Sequence, residues 1–218
     1  MKQVWLFAAL AILSVSMAQP ITAFAQSEDE ISFALVPNPP FVNCLARFPG
    51  DPNHPPKAQV TVERGELNDT LVLHLHNIKP NLAFDLFTVQ RSNLLANGQP
   101  DPDFAVKFNK SFGLAWYQSD VEADSDGGGK VMVKTILLDQ IFGFDPDVGL
   151  EPTNTFHVGF WFNNPDDAAA CGFTGFTPFN GEHHAGPLAM ISVPNADTGL
   201  GPLCTNPDTS TSPATCHP

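Results

Sequence analysis

The chain has 218 residues, with 23 Asp and Glu against 10 Lys and Arg and a formal net charge of −13. Such an acidic surface repels nucleic acid and anionic membranes, which argues against both as partners. The length suits one domain with a substantial core, or one domain with a tail, and the acids are scattered without a run of five, so the charge reads as solvation.

The first 25 residues have the layout of a secretory signal peptide. Lys2 supplies a positive start, 4–17 is an apolar run, and Ala23-Phe24-Ala25 is an A-x-A cleavage site. The run is too short for a comfortable membrane span. Pro20 disfavours a cut after Ala18, and no cysteine follows the cleavage site to take a lipid anchor. The expectation is an exported protein, whether extracellular, cell-surface or periplasmic. Its mature chain would begin at Gln26, contain no transmembrane segment and carry a charge of −14 once Lys2 is lost.

The rest of the chain alternates apolar and polar residues with period two, broken by Gly, Pro, Asn and Asp clusters. This is an all-β pattern. Eight strands are predicted. The first, 31–36, sets Ile31, Phe33 and Leu35 against Ser32 and Ala34, and an irregular Pro- and Asn-rich stretch follows over 37–57. The strand 58–64 places Val60 and Val62 on one face. Next, 70–77 turns Leu71, Leu73 and Leu75 inward, with Val72, His74 and His76 opposite. In 82–90, Phe84 and Leu86 share one side, and Asp85, Phe87 and Val89 the other. Strands at 112–123 and 130–138 flank Asp124-Ser125-Asp126-Gly127-Gly128-Gly129, a hairpin turn. In 155–162, Phe156, Val158, Phe160 and Phe162 oppose His157, Gly159 and Trp161, and 187–193 is the last strand. The expected architecture over 26–194 is an antiparallel β-sandwich of immunoglobulin-like or Greek-key type, with a long loop at 163–186 and a Pro/Thr/Ser-rich tail at 195–218.

The four cysteines, Cys44, Cys171, Cys204 and Cys216, are an even set for an oxidising compartment and predict two disulfides. Three pairings are open. The favoured one closes a short loop in the tail with Cys204–Cys216 and leaves Cys44–Cys171 to tie the N-terminal region to the long loop. No C-x-x-C is present, so zinc ribbons and thioredoxin chemistry lack support.

The segment Asn77-Ile78-Lys79-Pro80-Asn81-Leu82-Ala83-Phe84-Asp85-Leu86-Phe87-Thr88-Val89 resembles the proline turn and alternating strand of the copper/zinc superoxide dismutase sandwich and of secreted CHRD-type β-domains. The Gly-rich hairpin after Trp116-Tyr117 and the late His184-Ala185-Gly186 fit the same kind of domain. In the dismutases the strand after the proline turn carries a His-x-His copper pair; here that strand has no histidine. The resemblance therefore implies the architecture and not dismutase activity.

Histidines are the best candidates for chemistry. His74 and His76 lie at i and i+2 of one strand, so their rings share a face and can converge on one metal ion at roughly 2.0–2.1 Å each. His157 would be a third ligand if its strand were adjacent, and His184 or His183 a fourth; an imidazole set without thiolates suits zinc or copper(II). The bland alternative is solvated polar residues on an outer face. Glu122-x-Asp124-x-Asp126-Gly127 resembles the start of a calcium loop, but its twelfth position is Val133, where a Glu is needed. There is no Gly-x-Ser-x-Gly nucleophile motif, and Asp101/Asp103 and Asp145/Asp147 alternate with prolines as turns do.

Trp116, Tyr117 and Trp161 are candidates to line a ligand face. Phe173, Phe176 and Phe179 recur in the long loop and either plug the end of the sandwich or form an apolar interaction patch with Trp161. Asn68 and Asn109 head glycosylation sequons. The reading favoured by the sequence is an exported, non-catalytic binding or structural module with no dedicated cofactor and a protein or carbohydrate ligand. The alternative is an extracytoplasmic copper- or zinc-binding protein built on the histidines, extended to a metal-dependent enzyme on the same site.

Overall fold

The computed structural model describes residues 29–139, 142–175 and 185–217. In chain order the elements are β1 (Glu30–Pro37), a 3-10 turn (Pro39–Phe41), α1 (Val42–Leu45), β2 (Lys57–Glu63), β3 (Asp69–His76), β4 (Ala83–Val89), α2 (Phe104–Phe108), β5 (Ala115–Glu122), β6 (Gly129–Thr135), β7 (Phe142–Asp145), β8 (Leu150–Asn154), β9 (His157–Phe162), a second 3-10 turn (Pro165–Cys171), β10 (Leu188–Ile191), β11 (Pro207–Asp208) and β12 (Thr215–Cys216).

All eight predicted strands form, and they make one antiparallel sheet in the order β5-β4-β9-β10-β1-β2-β3-β6. Strand β1 belongs to both halves: 30–35 pair with β2, while Val36 and Pro37 pair with β10. The strands at the two ends of that order, β5 and β6, are consecutive in sequence and joined by a tight turn. The sheet therefore curls back on itself into a nearly closed barrel. Strand β3 lies beside β6 and not beside β4, which is Greek-key connectivity.

The closing turn explains the acidic stretch before it. Asp124 Oδ1 accepts the amide N–H groups of Asp126 at 2.8 Å and Gly128 at 2.9 Å. Gly127 sits at φ 75, and a Cβ there would come within 2.3 Å of the Ile78 carbonyl oxygen, so the position requires glycine. The segment that resembles a calcium loop thus uses its first-turn carboxylate as a main-chain cap.

Period two determines the core. Val60 and Val62, Leu71, Leu73 and Leu75, Phe84 and Leu86, and Val158, Phe160 and Phe162 all point inward and are almost fully buried. The opposite face is treated differently in the two halves. On β3 it meets solvent, with His76 exposed. On β4, β9 and β10 it is covered by the 90–114 excursion, so every residue of β9 and β10 is buried. Phe87, Val89, Trp161, Leu188 and Ile191 form this second core together with Leu94.

The aromatics are placed as follows. Trp161 is 1 % exposed, edge-on to Phe87 at 5.4 Å and to Phe112 at 5.3 Å, and so belongs to the second core and not to an exposed patch. Phe173 is half-buried against the main core, its ring 6.1 Å from Phe41, and acts as an end plug. Phe176 and Phe179 lie outside the described residues.

Both disulfides form in the favoured pairing. Cys44 in α1 joins Cys171 at the end of the second 3-10 turn, and Cys204 joins Cys216. The tail is docked onto the barrel. Leu203 is fully buried and donates its N–H to the Phe156 carbonyl. The buried Asp139 carboxylate accepts from Thr205 N–H and Oγ1–H and pairs with Arg64 at 2.7 Å. The β7–β8 hairpin and the small β11–β12 pair were not predicted. Among the described residues no helix is long and apolar enough to cross a membrane.

Candidate functional site

The structure separates the predicted metal ligands. His74 and His76 lie on the outer face of β3 with rings nearly parallel and centroids 6.4 Å apart. Lys57 is opposite His76 on β2, and Lys130 is opposite His74 on β6. Two ammonium groups beside the pair disfavour the addition of a metal cation. His157 lies on β9 in the other half of the sheet, facing away from the core that β3 and β9 share. It therefore cannot join His74 and His76. His183 and His184 lie outside the described residues. The one cluster of three donor groups among the described residues is Asp139 with Cys204 and Cys216, whose thiols are tied up in a disulfide.

His157 instead lines a cleft of about 520 Å³. The cleft forms where three strand ends meet on the covered side of the sheet: β4 leaves after Val89, β9 begins at His157 beside it, and β10 leaves after Ile191. The chain leaving β4 makes one wall and the turn leaving β10 makes the other.

Each wall is fixed by its own main-chain bonds. After β4, Leu94 and Pro100 pair as an isolated bridge, Gly98 N–H bonds the Leu95 carbonyl, and Asp101 N–H bonds the Asn93 carbonyl. Asn97 Oδ1 accepts from Gln99 N–H at 3.0 Å, an Asx-type turn. After β10, Asn195 Oδ1 accepts from Asp197 and Thr198 N–H, and Gly199 closes the turn at φ 73. The apolar lining comes from Leu94, Leu95, Phe108 and Pro194.

Three polar side chains define the chemistry. His157 is 2 % exposed, and burial pushes its imidazole from the usual 6.5 down to about 4, so the ring is neutral near pH 7. Its Nδ1 lies 3.1 Å from Ser192 Oγ, which also accepts the Val158 amide N–H. Ser192 is 1 % exposed, and its hydroxyl shares this hydrogen bond with the ring, the donor depending on the tautomer. The Ser192 main chain also hydrogen-bonds the ring and favours its protonated form, against the larger effect of burial. Ser192 does not line the cleft, so it positions the ring and is not placed as a nucleophile.

Arg91 is the second group. Its guanidinium is braced over the Phe108 ring at 4.6 Å, and among the described residues no carboxylate forms an ion pair with it. Asp101 is the third. It accepts from Asp103 N–H at 2.9 Å and lies 3.9 Å from the Lys107 ammonium, which it shares with Asp103 at 3.4 Å.

Sequence reasoning singled out His157 but missed Arg91 and Phe108. The available signal was the apolar residues on both faces of 82–90 and 155–162, which require a cover over the outer face. A second cavity of about 670 Å³ lies at the other side of the excursion, lined by Phe104, Phe112, Trp161 and Leu188 together with Asn93, whose Oδ1 is buried without a partner. Comparison with protein-family models, with curated proteins and with solved structures finds no match to the chain.

Proposed function

We propose that the protein is an exported, non-catalytic binding module that takes a small ligand in the cleft at the ends of β4, β9 and β10. The observation behind this is His157: a nearly fully buried imidazole, neutral near pH 7, that lines a cleft of ligand size. Export is supported by the Ala23-Phe24-Ala25 leader pattern and by two disulfides, which persist in oxidising compartments. A binding role is favoured over catalysis because Ser192 stands behind the ring and Asp101 is held by Lys107 and the Asp103 amide.

The test is amide and His-ring nuclear magnetic resonance of the mature protein against a mixed library of neutral and charged small-molecule fragments. Binders should move the His157 ring together with the amides of Arg91, Leu95 and Ala196. Binders that move only residues 163–175 would replace the cleft with the long-loop surface.

A further inference from the structure

Resting on the reading of the cleft as the binding site, we infer that its ligand is a small monocarboxylate with an apolar body. Acids outnumber bases more than two to one in this chain, 23 against 10, yet none of the described carboxylates pairs with Arg91. The Phe108 ring holds the guanidinium in place from one face. A guanidinium presents two parallel N–H groups that match a carboxylate, and a pre-positioned one gives up little freedom on binding.

His157 is the second polar group of the lining, and its neutral imidazole adds no second full charge. With one cation, one neutral imidazole and the Asp101 carboxylate in its lining, the cleft matches a monocarboxylate better than a phosphate. Leu94, Leu95, Phe108 and Pro194 give the rest of the ligand an apolar wall. The volume of about 520 Å³ lies within the usual range for small-molecule sites.

The experiment is calorimetric and resonance titration of the mature protein with straight-chain and aromatic monocarboxylates, each run beside its primary amide. The expected result is that an acid binds roughly tenfold or more tightly than its amide, with shifts at His157 and Arg91. Arg91→Gln should erase that preference. Equal binding of acid and amide in the cleft, or a preference that survives Arg91→Gln, overturns the carboxylate inference and leaves the cleft as the site. Neither acid nor amide moving the cleft residues at millimolar concentration overturns the inference, and if the fragment library moves none of them either, the binding-site reading falls with it. The acid–amide comparison needs no variant, so it stands even if Arg91→Gln misfolds.

Discussion

The hydroxyl of Ser192 stands 3.1 Å from His157 Nδ1 and 3.1 Å from the Val158 amide nitrogen, so one side chain at the end of β10 fixes both the imidazole and the start of the strand that bears it. Ser192→Ala removes a hydrogen bond from the buried imidazole and from the Val158 amide. It should destabilise the fold by about 2–3 kcal/mol in urea unfolding, more than a surface Ser→Ala change does.

Stability should fall with acid in a window set by His157. The unfolded imidazole takes up a proton below about 6.5, the folded one only below about 4. Between those values the unfolded state binds more protons, so stability rises with pH there and is lost as pH falls. The loss from this residue approaches about 3 kcal/mol by pH 4. Urea unfolding of the native protein and of His157→Gln across that window isolates the effect: the difference between them should shrink steadily toward acid pH. A constant difference would mean that the buried ring does not titrate as described.

Asp139 ties the tail to the barrel. Its carboxylate meets Arg64 at 2.7 Å and receives two hydrogen bonds from Thr205. Asp139→Ala should cost about 2–3 kcal/mol, since it leaves the Thr205 amide and the part-exposed Arg64 without their shared acceptor and also removes a residue suited to its φ of 59. Asp139→Asn should cost less. Limited proteolysis reads the same event, with new cuts between 205 and 215 in the Ala variant.

The two disulfides should contribute unequally. Cys44–Cys171 spans 127 residues and Cys204–Cys216 only 12. Loop-closure entropy gives about 5 kcal/mol for the first and about 3 kcal/mol for the second. Paired Cys→Ala variants compared in denaturant titrations check the order, and a larger loss from the short loop would contradict it.

Metal uptake at the β3 histidines should be weak. Two imidazoles flanked by Lys57 and Lys130 lack a third ligand among the described residues. Calorimetric titration with zinc and copper(II) should show no tight stoichiometric site, and any weak binding should vanish in His74→Ala/His76→Ala. One tightly held metal per chain, lost in that double variant, would reinstate the histidine-cluster reading.

The strands were legible because the core obeys a single period: Leu71, Leu73 and Leu75 or Phe156, Val158 and Phe160 need no tertiary information to be read as one face. The β7–β8 hairpin was not, because Phe142–Asp145 and Leu150–Asn154 are short and interrupted by Gly143 and Pro152. The cleft was half legible. His157 could be flagged as a histidine on a strand, but its neighbours come from 90–108 and 194–199, and only the strand order brings those stretches together. The same gap explains the metal expectation: His-x-His is a local pattern, whereas whether β9 adjoins β3 depends on topology.

The turn at Asp124 and Gly127 has a consequence for assembly. It holds the terminal strands β5 and β6 near each other without a ladder between them, so each end of the sheet keeps one unpaired edge turned toward the other. A strand from another molecule would have to enter that narrow seam to extend the sheet. Loosening this one turn, as by Gly127→Val, would widen the seam and should raise the tendency to aggregate.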